Sequence, residues 1–246
     1  MITDKLNQFI DRQAFHPDIF GMFVNPFYFA RKGLHESISS LADKITGRTL
    51  DVGCGQKPYE KLFGSSCYVG LEIDSPENRE NKKADFFYDG GRFHFQDGEF
   101  DSVVVNEVFE HVFNPAQFLM EIHRVLKSDG MLLMTVPFCW DEHEQPYDFA
   151  RYSSFGLKAT VEQHGFQIVT HIKSMNDIRA IFQMLNAYIY KISVMSISNP
   201  YLNLLANLMF IAPFTLLGAL LGKILPQNDD FYLDNIILAQ KRDVLK

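Results

Sequence analysis

Residues 50–63 read Leu-Asp-Val-Gly-Cys-Gly-Gln-Lys-Pro-Tyr-Glu-Lys-Leu-Phe (LDVGCGQKPYEKLF), with two glycines, an acid and a proline inside one turn. Residues 48–52 ahead of the turn read as a short strand, and residues 59–63 behind it as the start of a helix. Glycines at such a junction let the backbone approach a small ligand closely. A dinucleotide calls for G-x-G-x-x-G, but the third position here is Pro58. Proline has no N–H and weakens the amide cradle that a pyrophosphate needs. Asp51, two residues before Gly53, would repel a phosphate and favour positive charge. The turn therefore suits a cationic ligand without phosphates.

Working outward, the chain of 246 residues is 47% apolar and 22% charged, enough for one large α/β domain with additions. Its net charge of −7 excludes a nucleic-acid partner on electrostatic grounds. Cys54, Cys67 and Cys139 form no CxxC pair, which suits a reducing compartment. The first fifteen residues are charged and lack the apolar run of a secretion signal, so a cytoplasmic location is expected.

Apolar strand patterns fall at 49–52, 67–73, 84–88, 100–106, 131–137, 167–173 and 232–240, with helical patterns at 59–63, 115–125 and 155–164 between them. This alternation predicts an α/β fold: a Rossmann-like, mostly parallel sheet of seven strands with helices on both faces. Around it we expect a helical N-terminal cap over 1–46 and a cofactor-binding core over 47–178. An apolar helical insertion over 179–226 and a last strand within 227–246 complete a single domain. Ligands of such sheets sit beyond the carboxyl ends of the strands, where the strand order reverses.

Four segments in order, LDVGCG (50–55), YVGLEID (68–74), FDSVVVNEVFEHV (100–112) and VLKSDGMLLMTVPF (125–138), resemble the class I S-adenosylmethionine-dependent methyltransferases of the type 11 group. The resemblance runs from about 49 to 173 and resumes at 235–241. It implies an antiparallel last strand and S-adenosylmethionine as cofactor, a ligand with a sulfonium, an ammonium and no phosphate. It also implies that Asp51, Gly53, Cys54 and Gly55 line the cofactor and that Glu72, followed by Ile73, accepts hydrogen bonds from the ribose hydroxyls. Asp89 and Gly90 would meet the adenine, and Asn106 and Glu107 the methionine moiety. Gln56-Lys57-Pro58 departs from relatives that carry another glycine.

Two polar clusters could carry chemistry. In Asn106–His111, helical spacing would set Glu107, Glu110 and His111 on one face, as a proton acceptor, a cation site, or a histidine held beneath the cofactor loop. The structural role is favoured and no metal is expected, because ligands from one helix rarely complete a site. The segment 137–152, with the pattern H-E-x-P-x-D-x-x-R-Y, is too polar for core and too aromatic for a linker. It resembles a subset of these methyltransferases associated with surface-glycan biosynthesis. His143 is the expected base, with Asp148 or Glu144 orienting it and His111 as a further catalytic candidate. Trp140, Glu144, Arg151 and Tyr152 are expected to hold the acceptor, Arg151 through an anionic group. In the competing reading, an Asp148–Arg151 ion pair pins the loop and His143 only lines the pocket.

Between Arg179 and Lys223 the only charged residue is Lys191. Residues 201–225 are long enough for a membrane span, but Asn203, Asn207 and Pro213 interrupt them, and the following strand returns to the sheet. A helical hairpin over 180–198 and 201–225 is expected. It would cap the acceptor pocket, form a homodimer face, or make a peripheral membrane contact through 180–225. The expected function is methyl transfer to an oxygen, less readily a nitrogen, of a small-molecule, glycan or lipid-linked acceptor. The rivals are a nicotinamide-dependent oxidoreductase, disfavoured by Pro58 and Asp51, and a non-catalytic cofactor-binding scaffold at a membrane.

Overall fold

Val103, Val104 and Val105 are all fully buried, as are Leu132, Leu133 and Met134. Neighbours in a strand point to opposite faces, so such runs occur only where a sheet is covered on both sides. The computed structural model describes residues 2–242. It contains a seven-stranded sheet: β1 Thr46–Val52, β2 Gly64–Ile73, β3 Phe86–Tyr88, β4 Phe100–Asn106, β5 Leu126–Pro137, β6 Phe166–Lys173 and β7 Asp234–Lys241. Residue 1, at the start of the expected cap, and residues 243–246, at the end of the expected last-strand segment, lie outside the described residues.

The strand order is β3-β2-β1-β4-β5-β7-β6. Strands β1 to β5 pair in parallel, with Leu50 opposite Val69 on one side and Val103 on the other. The last strand runs the other way. Leu233 N donates to Ser174 O at one end of β6 and β7, and Arg242 N donates to Gly165 O at the other. This is the mostly parallel, Rossmann-like sheet with an antiparallel last strand expected from the sequence.

The helices are α1 Ile2–Phe15, α2 Gly21–Val24, α3 Tyr28–Leu41, α4 Pro76–Asn81, α5 Pro115–Val125, α6 Ser154–Gln163, α7 Ile178–Ile189, α8 Pro200–Phe210 and α9 Ala212–Leu221. Helix α5 starts where sequence logic puts it: the Asn114 side chain accepts from Gln117 N, and Pro115 needs no partner for a missing N–H. It buries Phe118, Leu119, Ile122 and Val125 in a core shared with Leu50, Val103, Leu132 and Ile237. The 59–63 helix is instead a single 3-10 turn, Glu60–Leu62, because β2 begins at Gly64, three residues earlier than the apolar pattern suggests.

The described residues group into two compact units. One comprises 38–138, 142–172 and 235–242 and holds the core just described. The other comprises 2–37, 139–141 and 173–234. In this helical unit, buried Gln183 closes the start of α3: its Oε1 accepts from Phe29 N (2.9 Å) and Ala30 N (3.2 Å). Asn186 Nδ2 donates to Thr215 Oγ1 at 2.9 Å and ties α7 to α9. The long apolar stretch is broken at Ile211, where α8 and α9 meet at a 40° bend. Pro213 sits in the first turn of α9, where its missing N–H costs nothing.

Leu119→Ala should lower the unfolding free energy by roughly 2–5 kcal/mol, because it opens a cavity at a fully buried site in the sheet core. Urea denaturation followed by circular dichroism measures this.

Candidate functional site

The strand order reverses between β1 and β4, so their carboxyl ends border a crevice. Two loops meet there. Gly53 adopts φ +72°, and a Cβ on it would lie 2.3 Å from Val108 Cγ2, inside any tolerable contact. Gly55 (φ +51°) has nothing within 4 Å of its missing side chain, so the backbone there faces open space. Lys57 is also left-handed (φ +54°), and its N donates to Cys54 O at 2.7 Å. Lys57 Nζ pairs with Asp85 at 2.5 Å, and Asp85 also accepts from Gly70 N at 2.7 Å. This clamp holds the turn in place.

Carboxylates ring the turn. Asp51, at the end of β1, is almost completely buried and accepts a hydrogen bond from the Tyr68 hydroxyl at 2.8 Å. Burial pushes its pKa up to about 7; the Tyr68 bond opposes this and the charge of Glu72 adds to it. Glu72, near the end of β2, accepts from Gly55 N (3.1 Å) and from Ile73 N (3.2 Å). Ile73 is 41% exposed although it lies in a strand. Beside it, Gly90 (φ +89°) would bring a Cβ within 3.7 Å of Ile73 Cδ1, and Asp89 accepts from Gly91 N. An exposed isoleucine flanked by a bare glycine and a carboxylate offers an apolar face and an acceptor for a flat heterocycle. Cys54 is buried against Gly70, and its thiol is raised to about 12 by burial, so this residue offers the site only its backbone.

At the end of β4, Asn106 Oδ1 is buried without a hydrogen-bond partner among the described residues. The next residue, Glu107, has φ +52°, and its N donates to both Thr135 O and Thr135 Oγ1 at 3.1 Å. A non-glycine residue in the left-handed region is a strained conformation held by its surroundings. The helical face expected for Glu107, Glu110 and His111 is not formed. The chain turns at Glu107 and makes one 3-10 turn, Phe109–His111.

His111 instead meets the other polar cluster. Fully buried Glu110 lies 3.6 Å from His111 Nε2 and 3.9 Å from His143 Nε2. The two imidazoles stand edge to face at 4.8 Å. His111 Nδ1 lies 2.9 Å from Tyr147 O; a carbonyl only accepts, so Nδ1 carries the proton and Nε2 is bare in the neutral ring. Burial lowers the His111 pKa. Asp148 orients His143: it accepts from His143 N (3.0 Å) and lies 3.4 Å from Nδ1. Arg151 forks onto Asp148 at 2.5 and 2.7 Å and holds its carboxyl down at about 2. The ligand atoms of Glu110, His111 and His143 lie within 4.8 Å of one another, a spacing that could hold a divalent cation.

Of the acceptor residues expected from the sequence, Glu144, Arg151 and Tyr152 belong to the same unit as this cluster and Trp140 to the other. Glu142, Gln145, Pro146 and Asp148 line an open pocket of about 280 Å³. Glu144 (φ +48°) is exposed. Tyr152 stacks on buried Phe109 at 5.0 Å. Trp140 belongs to the helical unit, where it packs on Phe27 at 5.7 Å. Tyr68 and Asp85 gave no sequence signal of their own, and Glu110 only as a helical neighbour of Glu107: strand register and loop closure bring them to these partners.

The family described as "Methyltransferase domain" matches residues 50–134. An uncharacterized protein of Methanocaldococcus jannaschii is 29% identical over 91 residues, 37% of this chain and 44% of that one. The match thus spans less than half of that curated relative. Among solved structures, the [4+2]-cyclase SpnF superposes with a TM-score of 0.55 at 15% identity, covering 87% of this chain and 82% of its own. Phosphoethanolamine N-methyltransferase 2 of Haemonchus contortus, solved with S-adenosyl-L-methionine, gives 0.53 at 16%, covering 96% and 60%. The YcgJ protein of Bacillus subtilis gives 0.51 at 15%, covering 87% and 99%. At such identities the likeness shows the fold alone, and the cyclase among these structures underlines it.

Gly53→Ala should destabilise the protein by about 1–3 kcal/mol, and by more than Gly55→Ala, because only the first substitution adds a clash to the left-handed backbone. Paired urea melts of the two variants test the order.

Proposed function

We propose that the methyltransferase domain at residues 50–134 binds S-adenosylmethionine across the ends of β1, β2 and β4 and transfers its methyl group to an oxygen of a small-molecule, glycan or lipid-linked acceptor. The observation that carries this reading is the pair of carboxylates, Asp51 and Glu72, set at adjacent strand ends around the open backbone of Gly55. Asp51 answers the cationic methionine end and Glu72 the ribose hydroxyls. Ile73, Asp89 and Gly90 take the adenine, with Asn106 and Glu107 next to the methyl group.

In the transfer, an acceptor oxygen attacks the methyl carbon, the C–S bond breaks with its electron pair going to sulfur, and the oxygen's proton leaves. The sulfonium is already a good leaving group, so much of the rate comes from in-line alignment at about 3 Å. His143, oriented by Asp148, takes the proton, with His111 beside it. Because the Arg151 fork is engaged by Asp148, Arg151 supports this geometry rather than gripping the acceptor. A second reading has its own observation: both Nε2 atoms face Glu110 at distances too long for hydrogen bonds and suited to a bridging ion. A cation there would bind the acceptor oxygen and ease loss of its proton. Chelator treatment followed by metal analysis and turnover of labelled cofactor separates the two readings, since activity that survives complete metal removal excludes the second.

Isothermal titration should show binding of S-adenosylmethionine and none of NAD. The Asp51 carboxyl has a raised pKa, so below about pH 7 it is neutral and its attraction for a cation is lost. Affinity should therefore rise with pH and level off above 7, changing by up to about tenfold per unit on the acid side. Asp51→Asn should flatten that dependence, and Glu72→Ala should weaken binding at every pH. His143→Ala should cut kcat by roughly 10²–10⁴ while leaving cofactor affinity unchanged, measured as turnover of labelled cofactor against glycan, quinol and lipid acceptors.

A further inference from the structure

Helices α7, α8 and α9 bury polar side chains beside small apolar ones and expose many of their large apolar ones. Gln183, Asn186 and Thr215 are fully buried and Asn207 nearly so, while large apolar side chains point outward from α7, α8 and α9. Only Ala206 and Asn207 of α8 are buried. Leu202, Leu205 and Met209 are each more than half exposed, and so is Leu220 on α9. At 100° per residue, the exposed apolar positions of α8 cover roughly 200° of its circumference, about twice the stripe a helix shows to a protein core. Some of the polar groups inside pair with one another: Asn186 Nδ2 donates to Thr215 Oγ1, and Asn207 Nδ2 to Asn203 O and Oδ1. This is the arrangement that hydrocarbon requires and water penalises.

From this arrangement we infer that α8 and α9 insert side-on into one leaflet of an anionic lipid bilayer and attach the protein to it as a monotopic anchor. No single helix among the described residues is long and apolar enough to cross a membrane, and α8 and α9 are bent against each other. At 1.5 Å per residue, α8 spans roughly 16 Å, about half of a hydrocarbon core. Charge selects the lipid. Residues 178–228 contain no acid, although the chain as a whole carries −7, and Lys223 stands exposed just beyond α9. Along this stretch anionic headgroups meet Lys223 before the exposed Asp229 and Asp230 that follow it. A second copy of the chain would cover one face of α8 rather than 200° of it.

The test is flotation of the purified full-length chain with phosphatidylcholine vesicles, with and without phosphatidylglycerol. The wild type should float with the anionic vesicles. Leu205→Glu combined with Met209→Glu should reduce the floated fraction at least tenfold, with circular dichroism and S-adenosylmethionine affinity unchanged, while Phe155→Glu, at an exposed site outside these helices, should float like wild type. Met209→Trp tests the same face without adding charge, and its fluorescence should shift to the blue on mixing with vesicles. A wild type that stays soluble at both compositions overturns the inference. So does flotation that survives the double substitution, or a soluble dimer that the double substitution dissociates. Cofactor affinity is read separately, so failure of the anchor and failure of the methyl-transfer reading remain distinguishable.

Discussion

The contact between Gly53 and Val108 is where the two halves of the sheet's connectivity meet. From β1 the chain steps outward through β2 and β3, then returns to the other side of β1 as β4. The loops after β1 and β4 are therefore neighbours, although more than fifty residues separate them. They can close only because Gly53 lacks a side chain, since a Cβ there would overlap Val108. With the two loops closed, the glycine turn, the Glu72 carboxylate and the strained backbone at Glu107 converge on one crevice.

Electrostatics give this crevice its selectivity. Burying Asp51 is unfavourable for the ionised carboxylate, and a single tyrosine hydroxyl offsets only part of that cost. A cationic ligand relieves the strain, whereas a phosphate would aggravate it. Lys57, in the turn itself, is taken up by Asp85 and stabilises the turn instead of neutralising the site. The second cluster works on the opposite principle: buried Glu110 is surrounded by two imidazoles, and the Asp148–Arg151 fork fixes one of them from behind. On the proposed reading, one region receives positive charge and the other manages a proton or an ion.

The apolar helices show that burial cannot be inferred from hydropathy alone. A stretch with almost no charge reads equally as a lid, a dimer face or a lipid contact. What separates these readings is the side each residue presents, and here asparagine, glutamine and threonine face inward while leucine and methionine face outward.

By itself the sequence determined the succession of the seven strands, the α5 start at Pro115, and the ligand charge implied by Asp51 and Pro58. These features depend on local chemistry: short apolar runs bounded by turn residues, and the missing N–H of proline. Tertiary structure alone decided which distant groups meet. Glu107 and His111 looked like partners on one helical face until a left-handed residue turned the chain and delivered His111 to His143 and Glu110. Tyr68 reaches Asp51 through strand register, and Trp140 belongs to a different unit from the loop that follows it. Such pairings arise from long-range packing, in which the energy of closing a crevice overrides local preference, and no window of neighbouring residues contains that information.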